Sequence, residues 1–255
     1  MGRRAVSLHD EDRWVFNRVA ADYASRPEYP AALVDRLVAI AGGRGARVVD
    51  LGAGIGHLAL PLAARGLEVT AVEPARAMLA AVAAAAAPRV RAVHATAEAT
   101  GLPGGAFDLV VLADAVQWVD PELAGREAAR LLAPGGALAL VEAAFAATPF
   151  MTALAEALSG ANPKARPRPE GAARQLMALA APGASPSAER FRQEAPLAPG
   201  ALEAVVRSFT FTGPALGPAA LDALLARLRV AAGDGPAAFA RDVTVRWVRR
   251  PRRAA

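Results

Sequence analysis

The chain has 255 residues, no cysteine, 54% hydrophobic residues and a formal net charge of +5. That length holds one large α/β core with at most a smaller appended layer, and the lack of cysteine excludes disulfides, thiolate metal sites, iron–sulfur clusters and a cysteine nucleophile. No apolar run reaches the roughly 20 residues a bilayer core needs, and the opening "MGRRAVSLHDEDRW" turns charged before an apolar signal core could form, so a cytoplasmic protein without membrane partners is expected.

In chain order, residues 15–41 predict a helical extension broken at "RPEYP". From residue 47, apolar runs alternate with helical patterns, as in a parallel sheet with crossover helices. Strands are expected at 47–51, 68–72, 90–94, 107–113 and 137–142. Helices are expected at 58–65, at 74–87 with Pro74 in its first position, and at 121–132 behind Asp120 as N-cap. "APGG" (133–136) should end that helix and turn into the fifth strand. Residues 143–200 are rich in Pro, Arg and small residues, and "NPKARPRPEGAAR" (162–174) reads as an exposed loop. Residues 202–208 and 219–232 read as helices, and 242–248 alternate as a strand should. The basic end, "RWVRRPRRAA", has no nucleic-acid-reading motif and reads as a solvated terminus, so no nucleic-acid partner is expected.

The stretch with the most chemistry is "VVDLGAGIG", residues 48–56. Gly52, Gly54 and Gly56 follow a strand and open a helix, so backbone N–H groups can approach a ligand where the helix N-terminus favours negative or polar groups. A dinucleotide fingerprint would place its third glycine at position 57, which here is His57. Asp50 would repel phosphates but suits a ligand with ammonium and sulfonium charges. Glu73, closing the second strand, can accept hydrogen bonds from ribose hydroxyls.

On these residues the chain resembles the class I S-adenosylmethionine-dependent methyltransferases. "VVDLGAGIG" resembles their first motif, "VTAVEP" the second, "ATAEATGLPGGAFDLVVLADAVQWVDP" the third and fourth, and "LLAPGGALALVE" the fifth-strand stretch. The similar subgroup holds trans-aconitate and ubiquinone-biosynthesis methyltransferase-like proteins, many of which open with a segment like "YASRPEYP" (23–30). The resemblance implies a doubly wound, Rossmann-like, mostly parallel α/β sheet of seven strands with an antiparallel last strand and an N-terminal helical lid. It divides the chain into a lid (1–46), a cofactor-binding core (47–142) and a C-terminal part (143–255) with inserted helices on the substrate side.

The same resemblance implies S-adenosylmethionine as cofactor and S-adenosylhomocysteine as product. Asp50, Gly52, Ala53 and Gly54 would line the methionine end, Glu73 and Pro74 the ribose, and Thr96, Ala97 and Glu98 the adenine. Thr96 stands where relatives often carry Asp, which removes a charge-assisted contact. Asp114, at the carboxyl end of the fourth strand, either faces the methyl-donor end of the pocket or caps the next turn. Relatives often read "AFHW" where this chain has "AVQW", so Gln117 replaces a histidine, and an amide takes up no proton near neutral pH.

Tyr23, Arg26 and Tyr29 either close over a small-molecule substrate, with Arg26 gripping a carboxylate, or pack a kinked helix. Trp118 is a pocket wall or plain core. Asp114, Gln117 and Arg26 are therefore the expected catalytic residues, and O-methylation of a carboxylate or hydroxyl the expected reaction. Carbon or nitrogen methylation of a ring compound, and cofactor binding without transfer or a nucleic-acid-binding module using the basic tail, are the alternatives. His9, His57 and His94 read as structural or exposed, and no spacing suggests a metal.

Overall fold

Five parallel strands, β1 (Arg47–Leu51), β2 (Glu68–Val72), β3 (Val90–Val93), β4 (Phe107–Ala113) and β5 (Leu132–Phe145), are joined in one sheet by β6 (Ser187–Pro196) and β7 (Ala238–Arg249). The order is β3-β2-β1-β4-β5-β7-β6, with β7 antiparallel to both β5 and β6. The computed structural model describes residues 15–161, 171–197, 200–210, 212–233 and 237–252. Its helices are α1 (Ala20–Tyr23), α2 (Ala31–Ala41), α3 (Ala59–Ala64), α4 (Arg76–Ala84), α5 (Pro121–Leu131), α6 (Pro149–Ala161), α7 (Ala172–Ala180), α8 (Ala201–Arg207) and α9 (Pro218–Ala232). Among the described residues no helix is long and apolar enough to cross a membrane.

The central strands are apolar on both faces because both faces are covered. Val48, Leu109, Val111, Ala139 and Val141 join α2 and α3, whereas Val49, Val110, Leu112, Leu138 and Leu140 join α5 and α7. A third cluster packs α6, α8 and α9 against Phe239 and Ala240 at the start of β7. Strand order reverses between β1 and β4, and at such a switch point the carboxyl ends of neighbouring strands part to leave a crevice. The turn after β1 and Asp114 after β4 both lie there.

Several expected boundaries move for identifiable reasons. Pro74 does not open α4. The Glu73 carboxylate accepts a hydrogen bond from the Ala75 N–H (2.8 Å), Ala75 stays extended as N-cap, and the helix starts at Arg76. "APGG" is not a free turn but part of β5, which begins at Leu132 against Phe107 and passes through an irregularity before regular pairing resumes at Leu109 and Ala137. His94 lies just past β3, where its Nε2 meets the Pro74 carbonyl (2.9 Å).

The region 143–200 holds α6, α7 and β6, so residues 172–174 of the expected loop are helical, while 162–170 lie outside the described residues, as does His9. The expected solvated basic end is also corrected. Through Arg249 it is strand β7, Arg249 donates to the Ile40 carbonyl (2.9 Å), and Arg250 donates to those of Ala129 (2.8 Å) and Leu132 (2.6 Å). These carbonyls belong to the last turns of α2 and α5 or just beyond, where helices lack internal donors. Residues 253–255 are outside the described set.

Candidate functional site

The glycine turn is tied to the end of β2: the N–H groups of Gly52 and Ala53 both donate to the Val72 carbonyl, at 2.8 and 3.0 Å. Gly52, Gly54 and Gly56 have φ of +78°, +57° and +92°, a region that costs an L-residue roughly 1–2 kcal/mol. A Cβ on Gly52 would stand 2.9 Å from the Ala115 Cβ, whereas one on Gly54 would meet nothing within 4 Å. Gly52→Ala should therefore lose about 2–4 kcal/mol in urea unfolding, strain plus overpacking, and Gly54→Ala only about 1–2 kcal/mol from strain alone. Equal losses would mean that the close approach of Ala115 is unimportant.

Two buried carboxylates flank this turn. Glu73 accepts from the Gly54 N–H at 2.9 Å as well as from Ala75. Burial raises its pKa, and these two bonds oppose the rise. Asp50 is 1% exposed and neither oxygen has a hydrogen-bond partner. Its carboxyl is pushed up to about 7, first by burial, then by the charge of Glu73, with the nearby Ala59 N–H opposing. A buried acid left without a partner is costly. It lies beneath a turn whose backbone can approach a ligand, an arrangement suited to a cationic one.

From this turn a cleft of about 640 Å³, counted with its solvent-open mouth, runs over the ends of β2 and β4, lined by Gly52, Gly54, Glu73, Pro74, Met78, Thr96, Ala97, Glu98, Asp114, Ala115 and Trp118 among others. Glu98 accepts from the Asp120 N–H (2.9 Å), which fastens the loop after β3 to the start of α5. Asp120 caps that helix as expected, accepting from the Glu122 and Leu123 N–H groups. Phe16 and Tyr23, from the segment ahead of the core, form the outer wall, and Phe16 meets Trp118 edge to face at 5.0 Å. Trp118 is 41% exposed, so it is a wall of the cleft and not core.

A second chamber of about 460 Å³ adjoins the first and shares Tyr23, Gly52, Gly54, Ala113 and Asp114 with it. Asp50, Arg26, Tyr29, His57 and Arg241 line only this second space. Asp114 stands on the border with φ +50°, an uncommon conformation for a residue other than glycine. Its carboxylate accepts from the Tyr29 hydroxyl (3.0 Å) and the Ala143 N–H (2.9 Å), so it joins the N-terminal segment to β5. Burial, then Asp114, raises the Tyr29 pKa well above its ordinary value, which keeps the phenol protonated. His57, stacked on Tyr23 at 5.7 Å, is pushed down to about 4 by burial, then by Arg241 and Arg26.

Of the residues singled out in the sequence, Asp50, Gly52, Ala53, Gly54, Glu73, Pro74, Thr96, Ala97, Glu98, Asp114, Trp118, Tyr23, Arg26 and Tyr29 all line one of the two spaces. Gln117 lines neither: its Nε2 donates to the Asp114 carbonyl (2.8 Å), which places it to position Asp114. The histidine set aside as structural, His57, faces the second chamber. Arg241 was missed altogether, although one signal was present. In β7 the residues Phe239, Arg241, Val243 and Val245 alternate onto a buried face, and a lone arginine in that apolar register marks a charge with inward business.

Residues 49–140 match a methyltransferase domain family. An uncharacterised methyltransferase of Mycobacterium tuberculosis (strain H37Rv) is 46% identical over 123 residues, 48% of this chain and 49% of that protein. A malonyl-[acyl-carrier protein] O-methyltransferase of Enterobacter lignolyticus is 38% identical over 130 residues, 49% of this chain and 50% of that one. The chain spans about half the length of the curated relatives it matches. Phosphoethanolamine N-methyltransferase 2 of Haemonchus contortus, solved in complex with S-adenosyl-L-methionine, superposes with a TM-score of 0.57 at 17% identity, covering 99% of this chain and 62% of that one, a likeness of fold.

Proposed function

From the premise that this chain carries a methyltransferase domain of the class I fold, we propose that the protein is an S-adenosylmethionine-dependent methyltransferase acting on an oxygen of a small molecule. The observation that carries this is Asp50, a buried carboxylate without a hydrogen-bond partner, set beside Gly52 and Gly54 and opposite Glu73. When bound, S-adenosylmethionine supplies a methyl group on cationic sulfur and departs as neutral S-adenosylhomocysteine.

The chain's own residues do the rest. Asp50 offers the negative charge that an ammonium and a sulfonium require. Glu73 offers carboxylate oxygens to ribose hydroxyls, and Met78, Ala97, Phe16 and Trp118 wall the base. Asp114 and Tyr29 hold the border between the two spaces in one arrangement, which favours transfer by alignment and by exclusion of water.

Three of the groups in or beside the second chamber supply no base near neutral pH, which favours an acceptor that arrives ionised. His57, at about 4, is a weak base near neutral pH, the Tyr29 phenol is already protonated, and Gln117 takes up no proton. A carboxylate needs none, because its oxygen lone pair forms the new O–CH₃ bond directly. The O-methyltransferase among the relatives supports an oxygen acceptor as well.

Calorimetric titration with S-adenosylmethionine, followed by incubation with small-molecule extracts, tests the proposal. The expected result is saturable binding, S-adenosylhomocysteine release and a transferred methyl group that mild base returns as methanol, as a carboxyl ester does. Binding without release would exclude transfer, and a base-stable methyl group would exclude the carboxylate acceptor.

A further inference from the structure

Glu127, on α5, is a buried acid that the chemistry above does not use. It is 8% exposed and lines neither of the two spaces. Its Oε1 accepts from the Thr100 N–H (3.0 Å), the Thr100 hydroxyl and the Arg130 Nη2 (2.7 Å), and its Oε2 accepts from the Arg130 Nε (2.7 Å). The Thr100 hydroxyl in turn accepts from the Leu102 N–H at 3.2 Å. Burial pushes the Glu127 carboxyl up, but the hydrogen bonds of Arg130 and Thr100 outweigh it and hold the pKa below its ordinary value. A buried carboxylate engaged on both oxygens fixes whatever it holds.

What it holds is the loop between β3 and β4. That loop is tied to α5 at three heights. At the helix start the Asp120 N–H donates to Glu98 (2.9 Å), in the middle Glu127 takes Thr100, and in the last turn the Arg130 carbonyl accepts from the Gly105 N–H (2.8 Å). The helix is itself fixed from behind. Ala124, Ala128 and Leu131 enter the sheet core, and α7 lies so close that a Cβ on Gly125 would stand 2.9 Å from the Leu179 Cβ. Just before Thr100, the loop presents Thr96, Ala97 and Glu98 to the cleft.

Of these three, only Thr96 and Glu98 carry a polar side chain. A hydroxyl rotates to donate or to accept, so Thr96 alone does not tell a 6-amino purine from a 6-oxo purine. A carboxylate only accepts, and backbone groups keep their direction, but both discriminate only while the loop keeps its register. Building on the methyltransferase reading above, we infer that Glu127 is a positioning residue for base recognition: acting through Thr100, it holds the 96–98 stretch in the register that takes an adenine and rejects a 6-oxo purine. Arg130 keeps the Glu127 carboxylate aimed at Thr100 and, like it, lines neither space.

The test compares S-adenosylhomocysteine with S-inosylhomocysteine, in which a 6-oxo group replaces the 6-amino group, by calorimetry on the full chain. The wild type should prefer the adenosyl compound about 100-fold or more. Glu127→Ala should weaken adenosyl binding about tenfold and leave the inosyl compound nearly unchanged, so that the preference falls to about tenfold. Glu127→Gln, which keeps an oxygen for the Thr100 N–H, should restore part of the preference. Thr100→Val should narrow it too, whereas Thr100→Ser should not, and this pair carries the comparison should Glu127→Ala fail to fold. Leu225→Ala, a large-to-small change in the third cluster that lowers stability without touching the cleft, should keep the full preference.

An affinity loss shared equally by the two compounds, with their ratio unchanged in the Glu127 and Thr100 variants, would mark Glu127 as a plain structural tie and overturn the inference. So would a wild type that binds both compounds equally, or a Leu225→Ala variant whose preference falls as far as that of Glu127→Ala. A wild type that binds neither compound would instead sink the methyltransferase reading itself.

Discussion

Asp50→Asn is expected to make the ligand-free protein more stable and its cofactor binding weaker. The Asp50 carboxyl titrates near 7 in the fold against an ordinary value of 3.8, so the folded state holds its proton where the unfolded chain has released it. The wild type therefore loses stability as pH rises from about 4 through about 7, by up to about 4 kcal/mol from this one group. Asparagine has no such ionisation, and its urea midpoint should stay flatter over that range and exceed the wild type's at pH 8. Binding should move the opposite way. Removing the carboxylate that faces a cation costs on the order of 100-fold in affinity, and the wild type's affinity for S-adenosylmethionine should itself fall below pH 7 as Asp50 takes up its proton. An asparagine variant that binds as tightly as the wild type, with no pH dependence in either, would show that Asp50 is packing and not a counter-charge.

Glu73→Ala should be the most damaging single change for cofactor binding. Its two oxygens already hold the Gly54 and Ala75 N–H groups, and the same carboxylate offers itself to ribose hydroxyls from the floor of the cleft. Hydrogen bonds to a charged group contribute about 1.5–3 kcal/mol each, so an affinity loss of roughly 10²–10³-fold is expected by calorimetry. A second readout checks the coupling between the two acids. Because the charge of Glu73 is the second cause of the high Asp50 pKa, both Glu73→Ala and Glu73→Gln should shrink the stability lost between pH 4 and 7. Glu73→Gln, which keeps an acceptor oxygen, should recover part of the binding but none of that electrostatic effect. If the pH profile of stability is unchanged in both variants, the two carboxylates are not coupled as described.

Much of the donor cleft was legible because its signals are local. Gly52 and Gly54 announce positive φ, Glu73 ends an apolar strand, and Asp120 precedes a helix as its cap; each residue is read within a few positions of its neighbours. The second chamber was legible only in part. Tyr23, Arg26 and Tyr29 came from a recognisable segment, but Arg26 is fixed by Ser208 and Phe209, 182 or more positions away, and Tyr29 by Asp114, 85 positions away. Gln117 stood beside the expected border in sequence, yet its amide turns back on the Asp114 carbonyl, a rotamer choice that residue spacing does not express. β6 was hidden for a related reason. It pairs on one side only, with β7, and its mostly polar run "SAERFRQEAP", with Arg, Glu and Gln side by side, resembles a loop until a partner strand supplies the hydrogen bonds.

The amino-acid order alone therefore determined the parallel core, the glycine turn and the acidic residues around it, because periodic burial and backbone chirality act over a few residues and leave their mark in composition and spacing. The folded chain alone decided that Arg241 enters the chamber from the seventh strand, that the basic end ties the termini of α2 and α5, and that Asp50 keeps a high pKa beneath an open turn. Those outcomes depend on which distant groups desolvate and face one another, a property of the packed arrangement and not of any single stretch of chain.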